Sequence, residues 1–376
     1  MNVTTLFKSF FESEKAGGLV LLIGTIISLL LANSSFSETY LAVWHHPIGS
    51  QNAEYWINDG LMTVFFLLIG LELEREVYIG ELSKIKDAIL PLFGALGGMI
   101  VPALLYIIFN LGTTTHSGYG IPMATDIAFA IGILSLLGDK VPISLKVFLT
   151  ALAVIDDLGA IIMIAIFYTK TLYFTNLLLS LSIFGILLIM NRLKVKNLVL
   201  YLIGGFFMWY FMLNSGVHAT ITGILLAFAI PFQDGSETTI SYKLQNALHK
   251  PVAFLIIPLF ALSNTAIVIG KDWVHTFAET YSLGIIFGLC IGKPLGILSF
   301  IYLSVKLKLT ELPSDVNWSQ LIGIGFLGGI GFTMSIFITL LAFDNHTVIN
   351  NAKFMILIAS FISGTIGFIW LKKALI

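Results

Sequence analysis

Long apolar runs separated by short polar segments make up almost the whole chain. A helix of about 20 apolar residues crosses the hydrocarbon core of a bilayer. The pattern therefore predicts an all-α polytopic membrane protein with twelve spans, of which the seventh and eighth are short. The predicted spans are residues 16–32, 56–78, 89–110, 121–137, 147–169, 177–190, 199–213, 219–231, 252–269, 283–305, 321–341 and 354–370.

The first span follows a polar lead with Lys8, Glu12, Glu14 and Lys15. A secretory signal peptide normally begins with a basic segment and ends at a small-residue cleavage site. This lead carries acids, and the sequence LLLANSS has no clear cleavage pattern. We therefore expect the first run to be retained as a span.

Composition agrees with a membrane class. Hydrophobic residues make up 57% of the chain, charged residues only 11%, and there are 30 phenylalanines, which is far from soluble usage. The single cysteine, Cys290, excludes a disulfide framework and a cysteine-rich metal site, and we expect a packed thiol. No soluble domain or nucleotide motif is apparent, so we expect one integral membrane domain over residues 1–376, without a cofactor or a nucleic-acid partner.

The basic residues predict the orientation. Cytoplasmic loops of membrane proteins are enriched in lysine and arginine, and the loops here alternate between basic and non-basic. One side receives Lys8, Lys15, Arg75, Lys84, Lys86, Lys140, Lys146, Arg192, Lys194, Lys196, Lys243, Lys250, Lys306, Lys308, Lys372 and Lys373, and the other only Lys170, Lys271 and Lys353. Both termini are therefore predicted to be cytoplasmic, and Lys293 remains within the tenth span.

The fifth span carries two adjacent acids, Asp156 and Asp157, near its midpoint. A charged side chain at the centre of a span costs roughly 2.5–3.5 kcal/mol, so the pair needs water, protonation or a bound cation. Adjacent helix positions lie about 100° apart, so Lys293 cannot easily neutralise both carboxylates. A structural ion pair is the alternative interpretation. We interpret the acid pair as a transport site that exchanges a proton at mid-membrane.

Two spans contain helix-breaking residues. Span 4 begins with Gly120 and Pro122 and places Thr125 and Asp126 in the membrane, and span 11 contains the glycine-rich sequence IGIGFLGGIGFTMS. Interrupted segments at corresponding positions of two halves point to a transporter site. Spans 3 to 5 and spans 10 to 12 are seven spans apart, and because seven is odd the two triplets cross the membrane in opposite directions. This predicts an inverted repeat, approximately residues 89–169 and 283–370, with crossed, discontinuous helices in the middle of each half.

The intramembrane charges suit such a crossing. Half-helix N-termini carry partial positive charge and C-termini partial negative charge. Asp126 can offset the first and Lys293 the second, while the hydroxyl of Thr125 adds an oxygen ligand for a cation held by the two carboxylates. On span 10, Gly284, Gly288, Gly292 and Gly296 form overlapping GxxxG steps, which favour close helix packing beside Lys293.

Six motifs together resemble the NhaA family of bacterial sodium/proton antiporters. They are WINDGLMTVFFLLIGLELERE, IPMATDIAFAIGIL, FLTALAVIDDLGAI, NSGVHAT, IGKPLGI and GIGFTMSIF, and the resemblance extends over nearly the whole chain. It implies a twelve-helix fold in the bacterial cytoplasmic membrane, and exchange of internal Na+ or Li+ for external H+. It also implies that Asp156 and Asp157 bind the cation and protons, that Thr125 and Asp126 form the polar pair of the broken helix, and that Lys293 is the intramembrane lysine.

The resemblance further implies a cytoplasmic pH-responsive cluster at Glu72, Arg75 and Glu76, where Glu72 can pair with Arg75 at i,i+3. A solvated helix end is the alternative. The partner region retains Lys243 and His249 but has Gln245 and Asn246 where titrating residues are common in the family. His218 matches a family motif, as a titrating or as a hydrogen-bonded structural histidine.

Several alternatives stay open at this stage. Ser215 near His218 is the candidate pair of an intramembrane hydrolase. A cation channel is a second alternative, although it would not need a protonatable pair. A proton-coupled transporter of the same architecture with an organic anion as cargo is the third. Some family members dimerise through a strand hairpin between spans 1 and 2. That loop is short here, so the sequence gives little support for a homodimer. The adjacent His45 and His46 suggest a metal site, but a solvated loop is the preferred interpretation.

Overall fold

The computed structural model describes residues 14–169, 172–270 and 273–376. Nearly all of the secondary structure in these ranges is helical, as predicted for an all-α membrane protein. Four charged residues of the N-terminal lead and the loops, Lys8, Glu12, Lys170 and Lys271, lie outside the described residues.

Helices occupy all twelve predicted spans. Within the described ranges, eight helices are long and apolar enough to cross a membrane, and the number is ten if each of two bent helix pairs forms one span. The short helices Leu198–Leu213 and Ile221–Ala229 correspond to the other two predictions. The prediction of about twelve spans is therefore confirmed, and the span numbers are kept below for the helices that occupy these segments.

The chain folds into two compact units. The first contains Lys84–Ala160, Ala261–Ile376 and the segment that ends at Ala42. Its helices are Glu14–Ala32 (span 1), most of Ser37–His45, Ile85–Asn110 (span 3), His116–Met123 and Ile127–Ser135 (span 4), Gly138–Lys140, most of Ile143–Phe167 (span 5), Trp273–Thr276, Thr280–Phe287 with Gly288–Gly292 and Lys293–Lys306 (span 10), Trp318–Gly328 and Phe332–Ala342 (span 11), and His346–Ala374 (span 12).

The second unit contains Val43–Ser83 and Ile161–Phe260. Its helices are Ala53–Tyr55, Trp56–Leu61 and Met62–Tyr78 (span 2), Glu81–Ser83, Phe174–Arg192 (span 6), Leu198–Leu213 (span 7), Ile221–Ala229 (span 8), and Ile240–Pro251, Val252–Ile256 and Ile257–Asn264 (span 9, which ends in the first unit). An antiparallel hairpin of only two residues per strand pairs Pro47–Ile48 with Gln51–Asn52. The core of this unit includes Leu71, Tyr201, Met208, Ala227 and Ile230.

Spans 3 and 10 approach each other so closely that their main chains touch. A Cβ atom on Gly97 would lie 2.1 Å from the Gly296 carbonyl oxygen, and one on Gly296 would lie 2.1 Å from the Gly97 oxygen. A Cβ atom on Gly292 would lie 2.8 Å from the Cα atom of Pro102. The predicted close packing of the GxxxG face is thus confirmed, and larger side chains at these positions would force the helices apart.

Lys293 directly follows a widened helical turn. Gly288–Gly292 form a π-helical turn, and Pro294 comes next after the lysine. Proline lacks an amide hydrogen and its ring clashes with the carbonyl four residues earlier, and a π-helical turn accommodates such a break in the regular pattern. The Lys293 side chain is fully buried in the first unit.

The two largest differences from the predicted boundaries lie at the starts of spans 12 and 9. Span 12 begins at His346 rather than at residue 354, because Asn345 caps the helix by accepting hydrogen bonds from the amides of Thr347 and Val348. Lys353, assigned by sequence to an outer loop, is therefore helical and buried, and it donates to Oδ1 of Asn264 at 3.0 Å. The polar helix Ile240–Pro251 also precedes span 9, where the sequence predicted only the apolar run from residue 252.

Candidate functional site

Span 4 is broken at Ala124–Asp126, between the 3-10 helix His116–Met123 and the α-helix Ile127–Ser135. Asp126 adopts an extended conformation, with φ −83° and ψ 97°, and its Oδ1 accepts a hydrogen bond from the Phe129 amide at 3.0 Å. An aspartate at this position satisfies an amide that the helix leaves unpaired and complements the positive helix end.

Span 11 is broken at Gly329–Gly331, and its halves are bent by 43°. The second half begins next to Asp126, whose Oδ2 accepts hydrogen bonds from the Thr333 amide at 3.1 Å and from the Thr333 hydroxyl. The Asp126 amide donates to the Ile330 carbonyl at 2.6 Å. One buried carboxylate therefore caps the N-termini of both half-helices and joins the two breaks.

Thr125 lies between the breaks and the acid pair of span 5. Its Oγ1 is 2.8 Å from Oδ2 of Asp156 and 2.8 Å from the Gly328 carbonyl oxygen. A hydroxyl has one hydrogen and two lone pairs, so Thr125 donates to only one of these oxygens at a time. The oxygen of Thr125 keeps acceptor capacity in either case, which suits it to contact a cation.

The Lys293 ammonium lies at the C-terminus of the first half of span 4, which carries partial negative charge. Its Nζ lies 2.6 Å from Oδ2 of Asp156, and it also donates to the carbonyl of Met123, the last residue of the 3-10 helix. Both side chains of the ion pair are fully buried. Lys293 thus compensates a carboxylate and a helix C-terminus together.

Asp157 is fully buried beside this ion pair and interacts electrostatically with Lys293. Within the described part of the chain, Oδ1 of Asp156 accepts no hydrogen bond. Counting Asp126, three carboxylates are buried with the Lys293 ammonium around this crossing, so the formal charge of these four groups is −2 if all of them are ionised. Buried charge of one sign is costly, and the arrangement therefore favours uptake of a cation or of protons.

The residues predicted to respond to pH lie in the second unit, around the inner end of span 2. Oε1 of Glu72 is 3.8 Å from Nδ1 of His249. Arg75 donates to the Gly235 carbonyl at 3.2 Å and stacks its guanidinium 4.8 Å from the ring centre of Tyr242. The i,i+3 pair of Glu72 with Arg75 was therefore wrong: both side chains instead contact the segment before span 9.

Three other predicted positions have less distinctive surroundings. Glu76 is half-buried and lies next to Gly80. His218 places Nε2 3.2 Å from the Tyr168 carbonyl, whereas the Ser215 hydroxyl donates to Met212 at 2.6 Å. Ser215 and His218 are thus directed to different main-chain groups, which disfavours the hydrolase alternative.

The environments of three buried polar residues around these elements, Thr333, Glu74 and Lys353, were not predicted from the sequence. Thr333 binds Asp126, and its position directly after the glycine-rich break was a usable signal for a capping contact. Glu74 is buried although it lies between Glu72 and Arg75. It lies one helical turn after Leu71 on the same buried face, but its place in a run of charged residues suggested an exposed position. Lys353 was assigned to a loop because the start of span 12 is polar.

Comparisons with known proteins agree on one family. The family model described as Na+/H+ antiporter 1 matches residues 8–371. The chain is 66% identical to the Na+/H+ antiporter NhaA of Flavobacterium psychrophilum over 375 residues, with 100% of this chain and 98% of the relative covered. It is 59% identical to NhaA of Cytophaga hutchinsonii over 375 residues, with 100% and 97% covered.

A solved structure supports the architecture. The sodium/proton antiporter MjNhaP1 of Methanocaldococcus jannaschii superposes with a TM-score of 0.54 over 96% of this chain and 92% of that protein. The sequences are only 16% identical, so this likeness concerns the fold alone.

Proposed function

The chain belongs to the Na+/H+ antiporter 1 family, and from that premise we propose that it exports cytoplasmic Na+ or Li+ in exchange for external H+. The proposed site is the acid pair Asp156 and Asp157, with Thr125 as an additional oxygen ligand. Asp126 and Lys293 compensate the ends of the broken helices. The protein is a transporter, and we propose that it works by alternating access in the bacterial cytoplasmic membrane with both termini in the cytoplasm.

The observation that carries the proposal is the ion pair between Lys293 and Asp156, 2.6 Å apart and fully buried at the helix crossing. An entering cation must either bind Asp156 through the oxygen that Lys293 leaves free or displace the ammonium. Either event changes the charge of the same coupled group that holds the exchangeable protons. Competition between cation and proton for one site is the basis of exchange.

The direction of exchange follows from this competition. When the site faces the cytoplasm, Na+ displaces protons; when it faces outward, protons displace Na+. If two protons exchange for one monovalent cation, each cycle moves one positive charge inward. A membrane potential of 100 mV then contributes roughly 2.3 kcal/mol to extrusion, and the exchanger is electrogenic.

The charges of the site favour a small cation over an organic anion. Asp126, Asp156 and Asp157 are buried around the crossing together with Lys293, and the Lys293 ammonium is already engaged by Asp156 and the Met123 carbonyl. This lysine is therefore not available to an anionic cargo. Na+ and Li+ are hard cations that bind oxygen ligands, as the carboxylates and the Thr125 hydroxyl provide.

We further propose that the contacts of Glu72 and Arg75 with the segment 235–249 regulate exchange. Protonated His249 attracts Glu72, so acid pH holds the inner end of span 2 on the helix Ile240–Pro251, and deprotonation weakens that contact as the pH rises. Gln245 and Asn246 leave this segment with few titrating groups. Glu76 and His218 remain predicted contributors, and a homodimer remains a prediction.

Purified protein in proteoliposomes tests the function. We expect an imposed outward proton gradient to drive uptake of Na+ or Li+ against its concentration gradient, and exchange in the absence of other ions to build up a membrane potential. Uptake that follows the Na+ gradient alone, without proton movement, would indicate a channel. Coupled uptake without a change in potential would contradict the proposed stoichiometry.

A further inference from the structure

Two serines of span 12 contact main-chain groups on opposite sides of the break in span 11. The Ser363 hydroxyl donates to the Phe326 carbonyl at 2.7 Å, in the last turn of Trp318–Gly328. Oγ of Ser360 accepts from the Phe332 amide at 3.1 Å, at the first residue of Phe332–Ala342. Helix ends leave amides and carbonyls without regular intrahelical partners. Ser360 supplies an acceptor for the Phe332 amide, and Ser363 adds a second hydrogen bond to the Phe326 carbonyl, which also accepts from the Gly329 amide at 3.0 Å.

The short segment between these two contacts touches span 4 through its carbonyls. The Gly328 carbonyl lies 2.8 Å from Oγ1 of Thr125, and the Ile330 carbonyl accepts from the Asp126 amide at 2.6 Å. Because the Thr125 hydroxyl has a single hydrogen, a shift of the Gly328 oxygen would change whether Thr125 donates there or to Asp156. Span 12 therefore holds the segment that sets the hydrogen bonding of the Thr125 hydroxyl.

The packing around Ser363 leaves this segment little freedom. A Cβ atom on Gly329 would lie 2.3 Å from the Ser363 oxygen and 2.3 Å from the Leu289 carbonyl oxygen. One turn further along span 12, a Cβ atom on Gly367 would lie 3.1 Å from the Leu327 amide nitrogen. Ser363 itself is fully buried. The main chain of the break is thus packed directly against span 12 as well as hydrogen-bonded to it.

We propose that Ser360 and Ser363 are positioning residues for cation binding: they hold the Gly328 carbonyl so that the Thr125 hydroxyl and Asp156 keep the spacing that the cation requires. The inference rests on the proposed cation site at the crossing. Selection between small cations depends on the number and rigidity of the oxygen ligands. Releasing one end of the break therefore changes both the apparent affinity for Na+ and the ratio of Na+ to Li+ affinity.

The test compares Ser360→Ala and Ser363→Ala with wild-type protein in proteoliposomes of equal protein content. A neutral hydrogen bond has a net value that corresponds to about a threefold to tenfold change in binding, so we expect KM for Na+ to rise by about that factor. The maximal rate should change little, and the Na+ to Li+ ratio of KM values should shift. Ser360→Thr keeps the oxygen at the less enclosed of the two positions and should retain much of the wild-type affinity.

Ser180→Ala is the matched control. Ser180 is fully buried and donates to a main-chain carbonyl of the neighbouring helix, that of Met208, at 2.9 Å, but it lies in the second unit. Its loss should lower thermal stability without a change in KM or in the ion ratio. If Ser360→Ala and Ser363→Ala likewise lower only stability, the positioning role is wrong.

Asp157→Asn in the same assay separates this inference from the proposed site. If Asp157→Asn abolishes exchange while both serine variants retain wild-type KM values and ion ratios, the positioning role alone fails. If Asp157→Asn exchanges normally, the proposed site fails, and the positioning role fails with it.

Discussion

Lys293 and Asp156 form a fully buried ion pair, with Nζ 2.6 Å from Oδ2. Removing one partner of a buried pair costs about 3–5 kcal/mol, whereas replacing both by apolar residues of similar volume is often neutral. We expect Lys293→Met to lower the free energy of unfolding by about that amount, and the double variant Lys293→Met with Asp156→Leu to recover most of it. Thermal unfolding of the purified proteins measures both, and strictly additive losses would contradict the coupling.

Asp126 is expected to stabilise two helix ends with one charge. Each charged group at a helix N-terminus contributes about 0.3–1 kcal/mol, and up to ~2 kcal/mol when partly buried. Asp126→Asn removes the negative charge and replaces one carboxylate oxygen with an amide nitrogen. The side chain can then accept from the Phe129 amide or from Thr333, but not from both through separate oxygens. We predict a loss of about 1–3 kcal/mol in unfolding free energy. Asp315→Asn, at an exposed position where Asp315 accepts from Ser144, should change the unfolding temperature little.

The hydroxyl of Thr125 is predicted to bind the cation. Thr125→Val removes the oxygen and keeps the shape, and we expect KM for Na+ to increase about tenfold because the hydrogen-bonded contacts of a buried hydroxyl have about this value. Thr125→Ser keeps the oxygen and should remain near wild type. Equal KM values for the valine and serine variants, measured by Na+-dependent proton release, would exclude the hydroxyl as a ligand.

The contact of Glu72 with His249 predicts a pH dependence of known sign. The attraction is present when His249 is protonated and is lost as the pH rises through its pKa. We propose that this contact restrains exchange at acid pH. His249→Gln removes the attraction at all pH values, so exchange should start at a lower pH than in the wild type. Proton release measured across a pH series gives the profile. An unchanged or alkaline-shifted profile would contradict regulation through this pair.

How far the sequence predicts the fold depends on how local the signal is. Glycines in span 11 and Gly120 and Pro122 in span 4 weaken helices wherever they occur, so the two breaks were predictable. The contact of Asp126 with Thr333 required knowing how the two breaks meet in space. Lys353 was misplaced because capping by Asn345 extends span 12 through a polar stretch that hydropathy assigns to a loop.

The pH-responsive region shows the same limit. Spacing along one helix suggested Glu72 with Arg75, because i,i+3 neighbours are close in any helix. The helix Ile240–Pro251 was not predicted, and it offers His249 and Tyr242 to these side chains instead. The spacing of residues within span 2 cannot show that side chains of another helix will bind Glu72 and Arg75 in place of the contact between them.

We propose that exchange passes through Asp157 and its neighbour Asp156. Everted membrane vesicles test this by the collapse of a respiration-generated pH gradient on addition of Na+, Li+ or K+, with wild type, Asp157→Asn and the control Asp315→Asn at equal expression. We expect Na+- and Li+-dependent proton release in the wild type and the control and none in Asp157→Asn. Cation-dependent proton release retained in Asp157→Asn would show that exchange does not depend on this carboxylate.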